Sequence, residues 1–160
     1  MFNGLIGNGS IERGEIEILF AEGNPVNVQV IHQQLESINY HSRAKVCCNG
    51  EELVSVYKAI VNKALENRLS DKIKPVKLIF TEQKFPRLRG TEAINEILEF
   101  IKEKNQVSTV KILEPRFVFL TAYRTVELQT HLSQKYKIQD CYEKPLTKEQ
   151  LREIIAGSFD

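Results

Sequence analysis

The chain is short of the features that mark several protein classes. No apolar run approaches the roughly 20 residues that a membrane-spanning helix needs. The amino terminus has no basic flank followed by an apolar core, so a secretory signal is not expected. Three cysteines, Cys47, Cys48 and Cys141, are too few for a disulfide framework and lack the spacing of a zinc site. They fit a reducing compartment, and a cytoplasmic location is expected. Adjacent Cys47 and Cys48 fall in a strand-like run and are expected to point to opposite faces. Neither sign of charge dominates. A formal net charge of +1 creates no global field, so neither nucleic acid nor a membrane surface is an expected partner. There is no internal repeat and no low-complexity segment.

What is present suits one globular domain. The 160 residues can bury a core, and 42% hydrophobic with 27% charged residues is an ordinary balance. Residues 1–14, with Gly4, Gly7 and Gly9, read as a flexible leader or the end of a linker. Residues 15–160 alternate short apolar runs with amphipathic stretches. Strands are expected at 16–21, 43–48, 76–81, 116–120 and 140–143. Helices are expected at about 24–38, 51–69, 91–104, 126–135 and from Thr147 onward. Asn24 followed by Pro25 caps the first helix, Asn49-Gly50 turns into the second, and Thr147 with Gln150 forms a capping box. The connection 105–115 is longer than a minimal loop and reads as a mobile insertion.

Five rounds of strand and helix imply a doubly wound α/β fold, with a parallel sheet and helices on both faces. The favoured topology is flavodoxin-like, with strand order 2-1-3-4-5. In such sheets ligands bind beyond the carboxyl ends of the strands. Glu22 follows the first strand, Glu82 ends the third, Thr121 follows the fourth and Lys144 follows the fifth. The fold would gather carboxylates, a hydroxyl and an ammonium in one crevice, a set suited to phosphoryl chemistry or to holding a hard cation. Each residue also has a plain reading as a solvated loop side chain. His32, His41 and His131 share no spacing and read as surface or packing residues. No glycine-rich phosphate cradle follows the first strand, which sets aside a flavin or nucleotide module.

Several short motifs carry a resemblance. They are Glu22-Gly23-Asn24-Pro25-Val26-Asn27, Asn49-Gly50-Glu51-Glu52, Phe85-Pro86 followed by Arg89-Gly90, Thr121-Ala122, and Lys144-Pro145. In this order, on this strand–helix pattern, they resemble the receiver domains of response regulators, especially those attached to hybrid histidine kinases. The resemblance implies a phosphoacceptor position at Glu82, with Thr121 and Lys144 completing the catalytic set. It implies Mg2+ held by Glu22, Glu82 and the backbone carbonyl of Lys84. It implies a switch and interface region at Cys141, Tyr123, Tyr136, Tyr142 and Leu146. The implied partner is a histidine kinase, a phosphotransfer protein, or a kinase domain in the same parent chain. A homodimer through the fourth helix, fifth strand and fifth helix is a further expectation.

The departures shape the functional expectation. Glutamate stands at position 82, where the resemblance implies aspartate. Gly23 stands where it implies a second acidic residue, Cys141 where it implies an aromatic one, and Arg89 where it implies an acidic one. The expected function is therefore a degenerate receiver acting as a signalling or interaction module in a phosphorelay, with weakened Mg2+ binding. The alternative is a receiver that still accepts a phosphoryl group from a histidine kinase. Cys141 is expected as a small buried apolar residue.

Overall fold

The computed structural model describes residues 15–67, 70–138 and 140–159. The expected leader at 1–14 lies outside the described residues. The elements alternate as β1 (Ile18–Ala21), α1 (Pro25–Ser37), β2 (Ala44–Cys47), α2 (Gly50–Glu66), β3 (Leu78–Thr81), α3 (Gly90–Val107), β4 (Arg116–Thr121), α4 (Val126–Tyr136), β5 (Asp140–Glu143) and α5 (Lys148–Ser158). The strands form one parallel sheet in the order β2-β1-β3-β4-β5. This is the expected flavodoxin-like order.

The sequence explains why both faces of the sheet are covered. β1 and β3 are buried at every position, as central parallel strands must be when helices pack on each side. Ile18, Phe20, Leu78, Phe80, Val118 and Leu120 meet Ile31 and Leu35 of α1 and Leu151, Ile154 and Ile155 of α5. The opposite side of β1 and β3, through Leu19 and Ile79, meets α2 and α3. Phe119 and Cys141 pack against Ile94 of α3 and Leu132 of α4. Phe20 and Phe80 are register partners whose rings stack at 4.4 Å, a contact worth about 1 kcal/mol beyond area burial. They form the apolar floor at the carboxyl end of β1 and β3.

Local signals set the helix starts. The Asn24 side chain accepts the N–H groups of Val26 and Asn27, with Pro25 at the first helical position. The Thr147–Gln150 capping box forms as expected. Helix α2 starts one residue early, at Gly50, because the Asn49 side chain caps Glu52 N–H. It ends at Glu66, short of the expected 69. Strand β3 begins at Leu78 rather than at residue 76.

The segment 105–115 is not the expected mobile insertion. Helix α3 runs on to Val107, and a short strand, Lys111–Ile112, then pairs in parallel with Lys72–Ile73. The Asn105 side chain donates to Ile112 C=O at 3.1 Å and accepts Ile112 N–H at 2.8 Å. One amide thus satisfies both backbone groups on the ribbon's outer side. Val110 and Ile112 are buried beneath it. The ribbon ties together the connections that precede β3 and β4, at the end of the sheet opposite Glu82.

Candidate functional site

Register brings the carboxylates together. Ala21 pairs with Thr81, so the next residues, Glu22 and Glu82, stand side by side beyond the sheet. Thr121 is the last residue of β4 and pairs with Glu143 of β5. Lys144 follows directly, and its N–H donates to Thr121 C=O at 2.8 Å. The Lys144–Pro145 peptide bond is cis. Glu22, Glu82 and Lys144 continue the alternation of the residues that face α1 and α5. Thr121 continues that of Phe117 and Phe119 on the other side.

The three charged groups form a tight cluster. Lys144 Nζ donates to Glu82 Oε1 at 2.6 Å and to Glu22 Oε1 at 3.0 Å. Glu22 Oε2 also accepts the Asn24 N–H at 3.0 Å. Glu22 is 2% exposed, so its charge depends on these partners. Burial pushes its pKa up, but the Asn24 N–H and Lys144 outweigh burial and hold it below the ordinary value. For Glu82 the balance runs the other way. Burial, with repulsion from Glu22, outweighs Lys144 and raises its pKa. The Lys144 pKa is raised too. Burial lowers it, and the hydrogen bonds and charges of both glutamates outweigh that effect. One ammonium shared by two carboxylates therefore keeps Glu22 ionised and makes Glu82 the easier to protonate.

The backbone around Glu82 is fixed by close packing. A Cβ added at Gly90 would lie 1.9 Å from Glu82 O, so only glycine lets the start of α3 approach this carbonyl. Thr81, wholly buried, donates its hydroxyl to the same Glu82 carbonyl at 3.0 Å. Gly90 N–H bonds Gln83 C=O, and Thr91 N–H bonds the Gln83 side chain.

The expected residues do not all converge. The Thr121 hydroxyl donates to Tyr123 C=O at 3.1 Å and accepts Tyr123 N–H at 3.3 Å, so it serves its own loop and not Glu82. Lys84 is exposed in the loop after Glu82. Cys141 is 3% exposed and packs as the small apolar residue expected. Cys47 is buried and Cys48 exposed, just past the end of β2. Leu146 is 7% exposed and belongs to the core beneath α1 and α5, which corrects its expected place on an interaction surface. Tyr142 and Tyr136 are half-buried against their cores, because strand alternation and the inner stripe of α4 turn them inward. Tyr123 is open, at 79% exposure. Two residues of this edge carried no signal in sequence: Arg124 and Glu143, which bond across from the β4–α4 loop to β5.

A cavity of about 520 Å³ opens beside the cluster, between α1 and the loops after β4 and β5, with Lys144 and Glu22 at its polar end. Carboxylates of this kind suit a hard, oxygen-ligated cation such as Mg2+. Here Lys144 and Asn24 engage Glu22 Oε1, Glu22 Oε2 and Glu82 Oε1. A cation at these oxygens would compete with the ammonium. A second carboxylate at position 23 would also be crowded, since a Cβ there meets Cys48 O at 3.2 Å. The donor set fits Mg2+ in kind and is one carboxylate short of the set that the resemblance implies.

No family model matches the sequence, and no curated protein matches it. Solved structures do share the fold. The chain is similar to the receiver domain of the Saccharomyces cerevisiae response regulator Ssk1, solved with the histidine phosphotransfer signalling protein Ypd1. The identity is 22% and the TM-score 0.67, over 91% of this chain and 89% of that one. It is similar to the receiver domain of the Arabidopsis thaliana histidine kinase CKI1, in an aspartate-to-glutamate mutant. There the identity is 18% and the TM-score 0.69, over 87% and 88% of the two chains. The same CKI1 domain complexed with Mg2+ and BeF3− matches at 18% identity and a TM-score of 0.69, over 87% and 89%. At these identities the likeness concerns the fold, and the fold is that of receiver domains.

Proposed function

We propose that this receiver-fold chain is a module of a phosphorelay whose pocket is already internally paired, and that it signals by interaction rather than by accepting a phosphoryl group. The observation that carries this reading is the 2.6 Å contact between Lys144 Nζ and Glu82 Oε1 in a cluster closed by Glu22. Glutamate reaches about 1.5 Å further than aspartate, one carbon–carbon bond. Its carboxylate therefore stands toward Lys144, in the space that a phosphoryl group on a shorter acceptor would need. It supplies one negative charge, against about −1.5 to −2 for a phosphoryl group near neutral pH. In-line transfer is also sensitive to placement, and a displacement of about 1 Å can cost on the order of a hundredfold in rate.

Mg2+, if taken up, would be held by Glu22, Glu82 and the Lys84 carbonyl, and would neutralise charge on phosphoryl oxygens. Its competition with Lys144 supports weakened binding. The fold's neighbours support a partner class: a phosphotransfer protein, as the Ssk1 receiver is solved with Ypd1, or a histidine kinase, in the same parent chain or another. No helix among the described residues is long and apolar enough to cross a membrane.

The test is intact-mass measurement after incubation with a small-molecule phosphodonor and Mg2+. The native chain is expected to gain no phosphoryl group. Stoichiometric, acid-stable but hydroxylamine-labile modification mapped to Glu82 would overturn the proposal in favour of a working phosphoacceptor.

A further inference from the structure

The Thr121 hydroxyl has one proton to give, and Tyr123 C=O takes it. A ligand oxygen beside Lys144 therefore does not receive the Thr121 proton until the 121–123 turn opens. By itself such a turn is a weak local alternative for the backbone. The next residue makes it firmer. Arg124 N–H donates to Glu143 Oε2 at 3.0 Å, and the Arg124 guanidinium donates to Cys141 C=O at 3.2 Å. Both partners lie on β5, the last strand of the sheet. Lys144 N–H points at β4, so alternation turns the Cys141 carbonyl to the free edge, where Arg124 caps it. The Cys141 side chain leaves the sheet plane, into the cluster of Ile94, Phe119, Leu132 and Ile138. No bulky side chain at position 141 reaches the loop, and the guanidinium does instead.

We propose that Arg124 and Glu143 are positioning residues whose clamp on β5 holds the Thr121 hydroxyl out of the pocket, so that releasing the clamp makes the pocket more receptive to a phosphate-like ligand. This rests on the receiver reading of the pocket. A ligand that needs the hydroxyl must bind against the clamp's free energy, and removing the clamp returns that difference as affinity.

The probe is beryllofluoride with Mg2+, titrated by heteronuclear NMR into Glu82→Asp, Glu82→Asp/Arg124→Ala and Glu82→Asp/Glu143→Gln. Losing the guanidinium bond is expected to tighten binding about threefold to tenfold, the worth of one net hydrogen bond. Glu143→Gln keeps the shape and is expected to act in the same direction with a smaller effect. In the native background without ligand, Arg124→Ala is expected to shift the Thr121 methyl resonance. Unchanged affinity and an unmoved Thr121 methyl would overturn the clamp. If Glu82→Asp fails to respond to the probe, the receiver reading falls, and the Thr121 methyl in the ligand-free Arg124→Ala protein still decides whether the clamp holds the loop.

Discussion

At the carboxyl ends of β1, β3 and β5, one ammonium holds two carboxylates, whereas at the amino ends of β3 and β4 a backbone ribbon holds two connections. Both ends use few bonds over a buried apolar floor. They differ in what a lost partner leaves behind. At the ribbon, Asn105 satisfies neutral N–H and C=O groups, and its loss exposes them to water. At the pocket, loss of Lys144 leaves Glu22, 2% exposed, as a buried charge beside a second carboxylate. The ribbon end is built to hold shape. The pocket end is built around a charge balance that a single substitution upsets.

That contrast can be broken or sharpened by four substitutions. The largest effect is expected for Gly90→Val, which drives a side chain into the Glu82 carbonyl. It should cost about 3 kcal/mol in urea unfolding, and a much smaller loss would mean that the Glu82 loop yields freely. Next comes Lys144→Ala, expected to cost about 2 kcal/mol near neutral pH. That is less than a fully buried pair would lose, because the lysine side chain is 18% exposed. Its sign with pH follows from the carboxylates. Without the ammonium, burial and repulsion from Glu22 raise the Glu82 pKa further above its unfolded value. The variant then loses stability as pH rises through that pKa and recovers it as pH falls. Urea midpoints at two pH values check this, and a deficit that grows on acidification would contradict it.

Asn105→Ala should cost about 1 to 2 kcal/mol while leaving the NMR signals of Lys144 and Thr121 in place. Movement at the pocket would show that the two ends are coupled. The smallest effect concerns neither end. Tyr57 is fully buried between α2 and α3, and its hydroxyl has no hydrogen-bond partner among the described residues. Tyr57→Phe should be neutral or stabilising by up to about 1 kcal/mol in thermal unfolding. A clear loss would point to a partner for that hydroxyl.

The two ends also differed in how far the sequence disclosed them. The pocket was legible because its residues follow strong periodic strands, and a parallel sheet sends all strand ends to one edge. Glu22, Glu82 and Lys144 needed only that register to meet. The ribbon was illegible because two paired residues on each side give no periodic signal, and its stability comes from Asn105, a residue type that usually marks a turn. Thr121 shows a second limit. Sequence placed it at the correct edge, but its hydroxyl turns to Tyr123 in its own loop, a local hydrogen bond that leaves no periodic signal. Leu146 shows a third. A leucine after a proline reads as loop surface, whereas the chain turns at Pro145 and returns this side chain to the core.

The most direct measurement is a heteronuclear NMR titration with Mg2+ and then beryllofluoride, on the native chain and on Glu82→Asp. A pocket already filled by the Glu82–Lys144 pair predicts no shifts around Thr121 and Lys144 in the native chain and clear shifts in Glu82→Asp. Equal shifts in both proteins would contradict it, because the longer carboxylate would then leave the pocket open to a phosphoryl group.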